Sequence, residues 1–230
     1  MNWEAITTGL PLYLDGAVLT MKLLAVALTI GLVFALPLAV MRAGDNPWLS
    51  RPVWLFTYVI RGTPMLVQLF IVYYGLAQFE IVRNSVLWPW LSQAWFCAVL
   101  AFGINTCAYT VEIIAGAIKS TSSGEVEAAR AMGMTRAQLY RRIVLPSALR
   151  RAIPAYSNEV ILMLHGTSIA SIVTLADLTN AAREVNSRFY APFEAFTLAA
   201  LFYFALTFVL VTLFHFAERR WLVHLEPRRS

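Results

Sequence analysis

The chain has 230 residues, 59% of them hydrophobic and 13% charged, with a net charge of +5 and a mean hydropathy of +0.65. An ordinary soluble domain carries about twice that share of charged residues, so the composition excludes one and indicates an all-α integral membrane chain with several spans. The basic residues lie in loops beside apolar stretches and form no single basic face, which points to lipid headgroups and topology and away from nucleic acid.

Residues 1–16 are acidic, with Pro11 and the aromatics Trp3 and Tyr13 suited to a membrane interface. Glu4 and Asp15 stand where a cleavable signal peptide would be basic, so none is expected. A first span is expected at 17–41, with Lys22 snorkelling to the headgroups and Pro37 kinking the inner end. Residues 42–52 read as a loop, in which Asp45, Asn46 and Pro47 form a turn and Arg42 and Arg51 are positive anchors. The apolar region 53–79 is interrupted by Arg61-Gly62-Thr63-Pro64, which predicts a short helix, a break and then the second full span. Such a break survives in lipid only where protein or a cavity covers the freed backbone, and Arg61 needs no role beyond capping it. Residues 80–94 form a loop that, with Trp88, Trp90 and Trp95, makes an aromatic belt.

The third span, 95–118, contains Asn105, Thr106, Tyr109, Thr110 and Glu112, more polarity than lipid contact allows, so these groups face a bundle interior or a water-filled path. Cys97 and Cys107 in this span are about 15 Å apart along a helix axis, too far to pair, and are read as small packing residues. Between spans, residues 122–146 are the most charged stretch of the chain and read as two short helices. Ser122 precedes Glu125 by three residues and Thr135 precedes Gln138 by three, the spacing of capping boxes. Gly133 allows the turn between the helices, and Pro146 is expected to stop the second. Val126, Ala128, Ala129 and Met132 give the first helix a small apolar surface that a partner's groove can approach.

The fourth span, 155–175, puts Asn158 and His165 within about 20° of each other on a helix, with Glu159 and Gly166 forming the adjacent stripe. Residues 177–194 read as a mixed-charge loop. The last span, 193–216, has no intramembrane charge, and a basic tail with Arg219, Arg220, Arg228 and Arg229 follows; His215 and His224 at that end are read as interfacial packing residues. Five spans with the N-terminus outside and the C-terminus inside place the loops at 42–52 and 119–153 and the tail in the cytoplasm. The opposite side then holds only Arg83, Arg183 and Arg188, as the positive-inside rule requires.

No enzyme is legible. There is no Walker A sequence, no H-E-x-x-H or G-x-S-x-G, and His165, His215 and His224 lack ligand spacing, so neither catalytic residues nor a metal or cofactor site are expected. No internal repeat appears either, so any symmetry would come from a partner chain.

The order Glu127-Ala128-Ala129, three residues, Gly133, nine residues, Ile143, one residue, Leu145-Pro146 resembles the EAA loop of bacterial ABC importer permeases. The runs R-G-T-P-M-L-V-Q-L-F from Arg61, N-T-C-A-Y-T-V-E-I-I-A-G-A-I from Asn105 and P-S-A-L-R-R-A-I-P-A-Y-S-N-E-V-I-L-M-L-H from Pro146 resemble polar amino acid permeases of that class. They are most similar to the M-type permease subunits of histidine/lysine/arginine/ornithine importers. The resemblance implies one permease domain over 1–230 with the type I importer (MetI-like) fold in the inner membrane. It makes Glu127, Ala128, Ala129, Gly133, Ile143, Leu145 and Pro146 an ATPase-coupling surface. It further implies a heterodimer with a Q-type permease, two cytoplasmic ATPase subunits that bind ATP and magnesium, and a periplasmic amino acid-binding protein. Opine and other polar amino acid permeases share many of the same runs; an ATP-independent transporter or channel, or a membrane scaffold, would explain less of the sequence.

A cationic L-amino acid crossing a low-dielectric bundle needs a carboxylate partner. Glu159, with Asn158 beside it, is the favoured substrate contact; Glu112 and Thr110 of the third span are the further candidates. Glu112 lies nearer the inner end, where Lys119 or Arg150 could pair with it instead, and Glu159 could equally bridge to a partner subunit.

Overall fold

A computed structural model describes residues 3–221, and every regular element in that range is helical. His224, Arg228 and Arg229 of the expected tail, and the side chain of Trp3, lie outside the described residues. The acidic start and the first span are one helix, α1 (Trp3–Ala43), of 41 residues and about 62 Å. Its buried stripe runs through Tyr13, Thr20, Leu23, Leu24, Ala27, Gly31, Ala35 and Ala39. The last four of these are spaced four apart, so small side chains line one face and let another backbone come close.

The neighbour on that face is α6 (Ala94–Lys119), and the α1–α6 contact is the most extensive helix pair in the molecule. A Cβ added to Gly31 would fall 2.4 Å from Thr106 Cγ2 and 3.1 Å from the backbone nitrogen of Cys107, so glycine is what permits this separation. In its apolar window α6 is 72% buried, whereas α11 (Pro192–Trp221) is only 6% buried. The third span is therefore the axle of the bundle and the last span its periphery. Cys97 and Cys107 are free and buried in the packing of α6.

Several expected loops are helical. The loop at 42–52 shrinks to three residues, because Asn46 accepts a hydrogen bond from the Trp48 backbone N–H at 3.0 Å and Pro47 opens α2 (Pro47–Arg61). The expected second full span is a broken pair. After Gly62-Thr63-Pro64 the chain continues as α3 (Met65–Phe70), a π turn at Ile71–Gly75 and a 3₁₀ turn ending at Gln78, bent by 99° from α2. Short helices α4 (Glu80–Arg83) and α5 (Trp88–Leu91) occupy the aromatic loop, where Trp90 is exposed and Trp95 packs against the core.

Downstream, α7 (Ser123–Ala131) and α8 (Arg136–Leu139) are the two expected short helices. Thr135 and Gln138 make the capping box; the Ser122 side chain makes no capping bond. Pro146 does not stop α8. A π turn at Tyr140–Val144 widens the helix just before the proline, and α9 (Leu145–Gly166) runs on with Pro146 in its first turn. Proline lacks an N–H and collides with the carbonyl four residues earlier, and a helix that has just changed register has no bond at that place to lose. Beyond α9 the chain tightens into a 3₁₀ segment (Thr167–Val173) and turns at Thr174, which has a φ of 67°.

The expected mixed-charge loop at 177–194 is mostly α10 (Leu178–Phe189), started by Asp177, whose carboxylate accepts from the Asn180 N–H at 2.9 Å. Buried Leu178, Ala181, Ala182 and Val185 give this helix one apolar face, which packs on Tyr13 of α1 and on α11. Gly16 lets the chain at Asp177 approach α1, and Thr20 Oγ1 accepts from the Leu178 N–H at 3.2 Å. Among the described residues three helices are long and apolar enough to cross a membrane, or up to five if each bent pair, α2 with 65–78 and 136–173 with α10, is one span.

Candidate functional site

The polar residues of α6 divide into two neighbouring stripes. Asn105, Tyr109 and Glu112 fall within about 60° of one another on a helix and face the α2–α3 break. At the first rung, Asn105 Nδ2 donates to Gln68 Oε1 at 2.9 Å. Gln68 Nε2 in turn donates to the carbonyls of Ile60 and Thr63 at 2.6 and 3.1 Å and to Thr63 Oγ1 at 2.8 Å. Gln68 thus satisfies the backbone freed by the Gly-Thr-Pro break, the cover that a broken helix requires in lipid. At the second rung the Arg61 guanidinium lies over the Tyr109 ring, 5.1 Å from its centre. At the third, Glu112 Oε1 accepts from Arg42 Nε at 2.8 Å and from Thr57 Oγ1 at 2.6 Å. Glu112 is therefore paired, but with Arg42 from the end of α1, and not with Lys119 or Arg150. Sequence reading gave Arg61 no role beyond capping the break and gave Gln68 and Thr57 none; the trace of the cluster in the sequence was the density of polar residues on both sides of the break.

The second stripe carries Thr106 and Thr110, both fully buried, whose hydroxyls find no hydrogen-bond partner among the described residues. Thr106 comes alongside the Glu159 carboxylate of α9 without closing a bond of normal length. Glu159 is 5% exposed, lies within electrostatic reach of Arg61, and has no cationic group within 4.0 Å among the described residues. A buried carboxylate held by neither a cation nor a full set of donors is costly, and such groups in membrane bundles mark ligand or ion paths. Asn158 does not share this environment. It is exposed with Leu162 and His165 on the outer stripe of α9, where His165 Nε2 lies 3.1 Å from Thr207 Oγ1 of α11. The polar flank expected from Asn158 and His165 is thus the outward face, and Glu159 alone turns in.

The second candidate surface is built by α7 and α8. Gly133 has a φ of 76°, and the N–H groups of Gly133 and Met134 return to the carbonyls of Arg130 and Ala129 at 2.9 and 3.2 Å, a Schellman closure that only glycine makes without strain. The apolar surface expected on α7 splits. Ala129 (3% exposed) and Val126 turn inward onto Ile114, Ile118, Leu139 and Val144, while Glu127, Ala128 and Met132 (81% exposed) point out. Ile143, Leu145 and Pro146 are half-buried at the α8–α9 junction. Beneath the hairpin a cleft of about 450 Å³ is lined by Asp45, Lys119, Arg130, Met134, Arg136 and Tyr140, among others. Arg136 reaches Asp45 at 3.5 Å across its mouth, an exposed pair worth at most about 1 kcal/mol.

Comparison with known proteins gives a consistent set. The family described as "Binding-protein-dependent transport system inner membrane component" matches residues 23–223. The histidine/lysine/arginine/ornithine transport system permease protein HisM of Escherichia coli K12 is 50% identical over 213 residues, 92% of this chain and 90% of that one. The octopine transport system permease protein OccM of Rhizobium meliloti is 43% identical over 231 residues, covering 99% and 91%. Among solved structures, an amino acid ABC transporter crystallised with histidines superposes with a TM-score of 0.85 at 35% identity, covering 96% of this chain and 99% of that one. The inward-facing MetNI methionine ABC transporter superposes with a TM-score of 0.73 at 17% identity, covering 92% and 96%, a likeness of fold.

Proposed function

Because this chain belongs to the binding-protein-dependent transport system inner membrane component family, we propose that a cationic L-amino acid passes along the α6–α9 interface, with Glu159 as its counter-charge. The chain is a non-catalytic, multi-helix permease subunit of an amino acid ABC importer in the inner membrane, and ATP is bound by a partner ATPase. The observation that carries the cargo site is Glu159, buried and, among the described residues, without a cation within 4.0 Å. A guanidinium, ammonium or imidazolium would supply the missing charge, and the unpartnered hydroxyls of Thr106 and Thr110 would complete the contacts. Glu112, engaged by Arg42 and Thr57, sets the charge of the path from the neighbouring stripe rather than gripping the cargo. Asn158 contributes from the outer face of α9, where a second permease would cover it.

The cargo set is histidine, lysine, arginine and ornithine, in keeping with the 50% identity to a permease named for those amino acids. An opine is the second reading, favoured by the 43% identity to an octopine permease. The five spans run with the N-terminus outside, supported by the basic residues gathered at one end of the bundle. This puts the loop at 119–153 in the cytoplasm, where Glu127, Ala128 and Met132 would meet the ATPase around the rigid turn at Gly133. Ala129, Ile143, Leu145 and Pro146 would fix that hairpin to the spans. A related Q-type permease, two ATPase subunits and a periplasmic binding protein complete the assembly.

The test is uptake by the reconstituted transporter of labelled histidine, lysine, arginine, ornithine and octopine, with wild type and Glu159→Gln. The substitution keeps size and hydrogen bonding and removes charge. It should reduce kcat/KM for cationic amino acids by at least about tenfold, the equivalent of some 1.4 kcal/mol, with the ATPase still bound. Unchanged arginine uptake would remove Glu159 from the cargo path, and uptake of octopine alone would favour the second reading.

A further inference from the structure

The loop at 119–153 leaves the bundle at the end of α6 and re-enters it at the start of α9, and one side chain joins the two legs. Arg151 Nη1 donates to Ser147 Oγ, one turn back on α9, at 2.5 Å. Its Nη2 crosses to the other leg, donating to the Ala117 carbonyl at 3.0 Å and to Thr121 Oγ1 at 2.8 Å. Ala117 lies in the last turn of α6, where carbonyls have no intrahelical partner and the helix dipole favours a positive charge; Ser120 Oγ is its other donor, at 3.0 Å. No carboxylate lies within 4.0 Å of Arg151 among the described residues, so its charge is held by neutral oxygens and by the end of α6.

We propose that Arg151 is the positioning residue that clamps the neck of the coupling loop, so that a displacement of α7 moves α6 and α9 together. The proposal rests on the coupling reading given above and adds the part that transmits the movement. The physical need is plain. The loop hinges at Gly133 and again at the π turn, and a push on α7 would be spent in splaying its legs unless their bases were joined. The apolar contacts of Ile118, Val144 and Ala148 hold the legs side by side but are non-directional and let them slide. A planar guanidinium forked across the Ala117 carbonyl and the Thr121 and Ser147 hydroxyls resists sliding. Lysine at 151 would hold one or two of these acceptors and not the fork.

The experiment uses the complete transporter in proteoliposomes and measures amino acid moved per ATP hydrolysed, a ratio that loss of protein alone leaves constant. Arg151→Gln should lower the ratio by about fivefold or more, the effect of roughly 1 kcal/mol at the junction, with Arg151→Lys in between. In an Arg151→Gln background, Thr121→Cys and Ser147→Cys joined by a short bis-maleimide should restore the ratio, because the covalent bridge replaces the fork; native Cys97 and Cys107 are buried. An unchanged ratio in Arg151→Gln, full coupling in Arg151→Lys, or failure of the bridge to recouple would each overturn the clamp. If Arg151→Gln does not assemble, the lysine variant supplies the same readout. A wild-type complex whose ATPase ignores the loaded binding protein would instead overturn the coupling reading itself.

Discussion

At the scale of single residues, the polar contacts that matter are long-range. Arg42 and Glu112 are 70 residues apart in sequence, and their side chains are 18% and 23% exposed where they meet. The place of Glu112 near the inner end of its span, beside a basic loop, suggested Lys119 or Arg150 as its partner. The real partner is chosen by the α1–α6 contact, which carries the end of α1 past Glu112. Removing either member strands the other in a largely dry place, while removing both does not, so a double-mutant cycle is diagnostic. Arg42→Gln and Glu112→Gln should each lower stability by about 1–3 kcal/mol, and the double variant by clearly less than their sum. Thermal unfolding of the purified permease pair reads this directly, and strict additivity would show that the two charges are not coupled. Gln68 is a further case of a role that sequence could not assign. It reads as one polar residue in an apolar run, yet it caps two freed carbonyls and anchors Asn105.

At the scale of elements, helix packing here is set by where side chains are missing. Gly31 and Gly116 are both helical glycines, one against α6 and the other with nothing within 4 Å of an added Cβ. Gly31→Ala drives a methyl into Thr106 and the Cys107 backbone and should cost about 1–3 kcal/mol, as overpacking does. Gly116→Ala should be neutral or stabilise by up to about 1 kcal/mol, since alanine gives up less backbone entropy in a helix. Opposite shifts of Tm in the two variants are the expected result; a stable Gly31→Ala protein would mean that α1 and α6 are held apart by something other than this stripe. The Ala27-Gly31-Ala35-Ala39 spacing was present in the sequence, hidden inside a run that reads as generic span. Pro146 misled for the converse reason, because a proline stops a regular helix but not one that has just passed through a π turn.

At the scale of the molecule, one chain leaves much of itself uncovered. Apolar residues of α2, among them Trp48, Trp54, Leu55 and Tyr58, are exposed, as are most of α11 and the polar Asn158. Lipid can cover the apolar side chains, but an asparagine in the middle of a span wants protein or water. The expectation is that this chain transports only when paired with a second permease subunit. A preparation containing this permease as a single copy with its ATPases, monodisperse and active in proteoliposomes, would refute that.

The sequence by itself determined the class, the all-helical character, the two-helix hairpin between the third and fourth spans with its glycine turn, and the polar character of the third span. Each of these is written in local composition or short spacing, in charge between apolar runs, in a capping pair three apart, and in polar residues where lipid would forbid them. Tertiary structure alone decided which carboxylate is paired and which is not. Glu112 and Glu159 look alike in sequence, as acids within apolar helices; one meets Arg42 because α1 runs past it, and the other is buried beside α6 with no cationic group within 4.0 Å among the described residues. Tertiary structure likewise turned Asn158 outward from its neighbour Glu159 and closed the loop neck through Arg151. Ion pairing depends on which helices touch and on their rotation about their own axes. One residue of rotation, about 100°, exchanges a buried acid for an exposed amide.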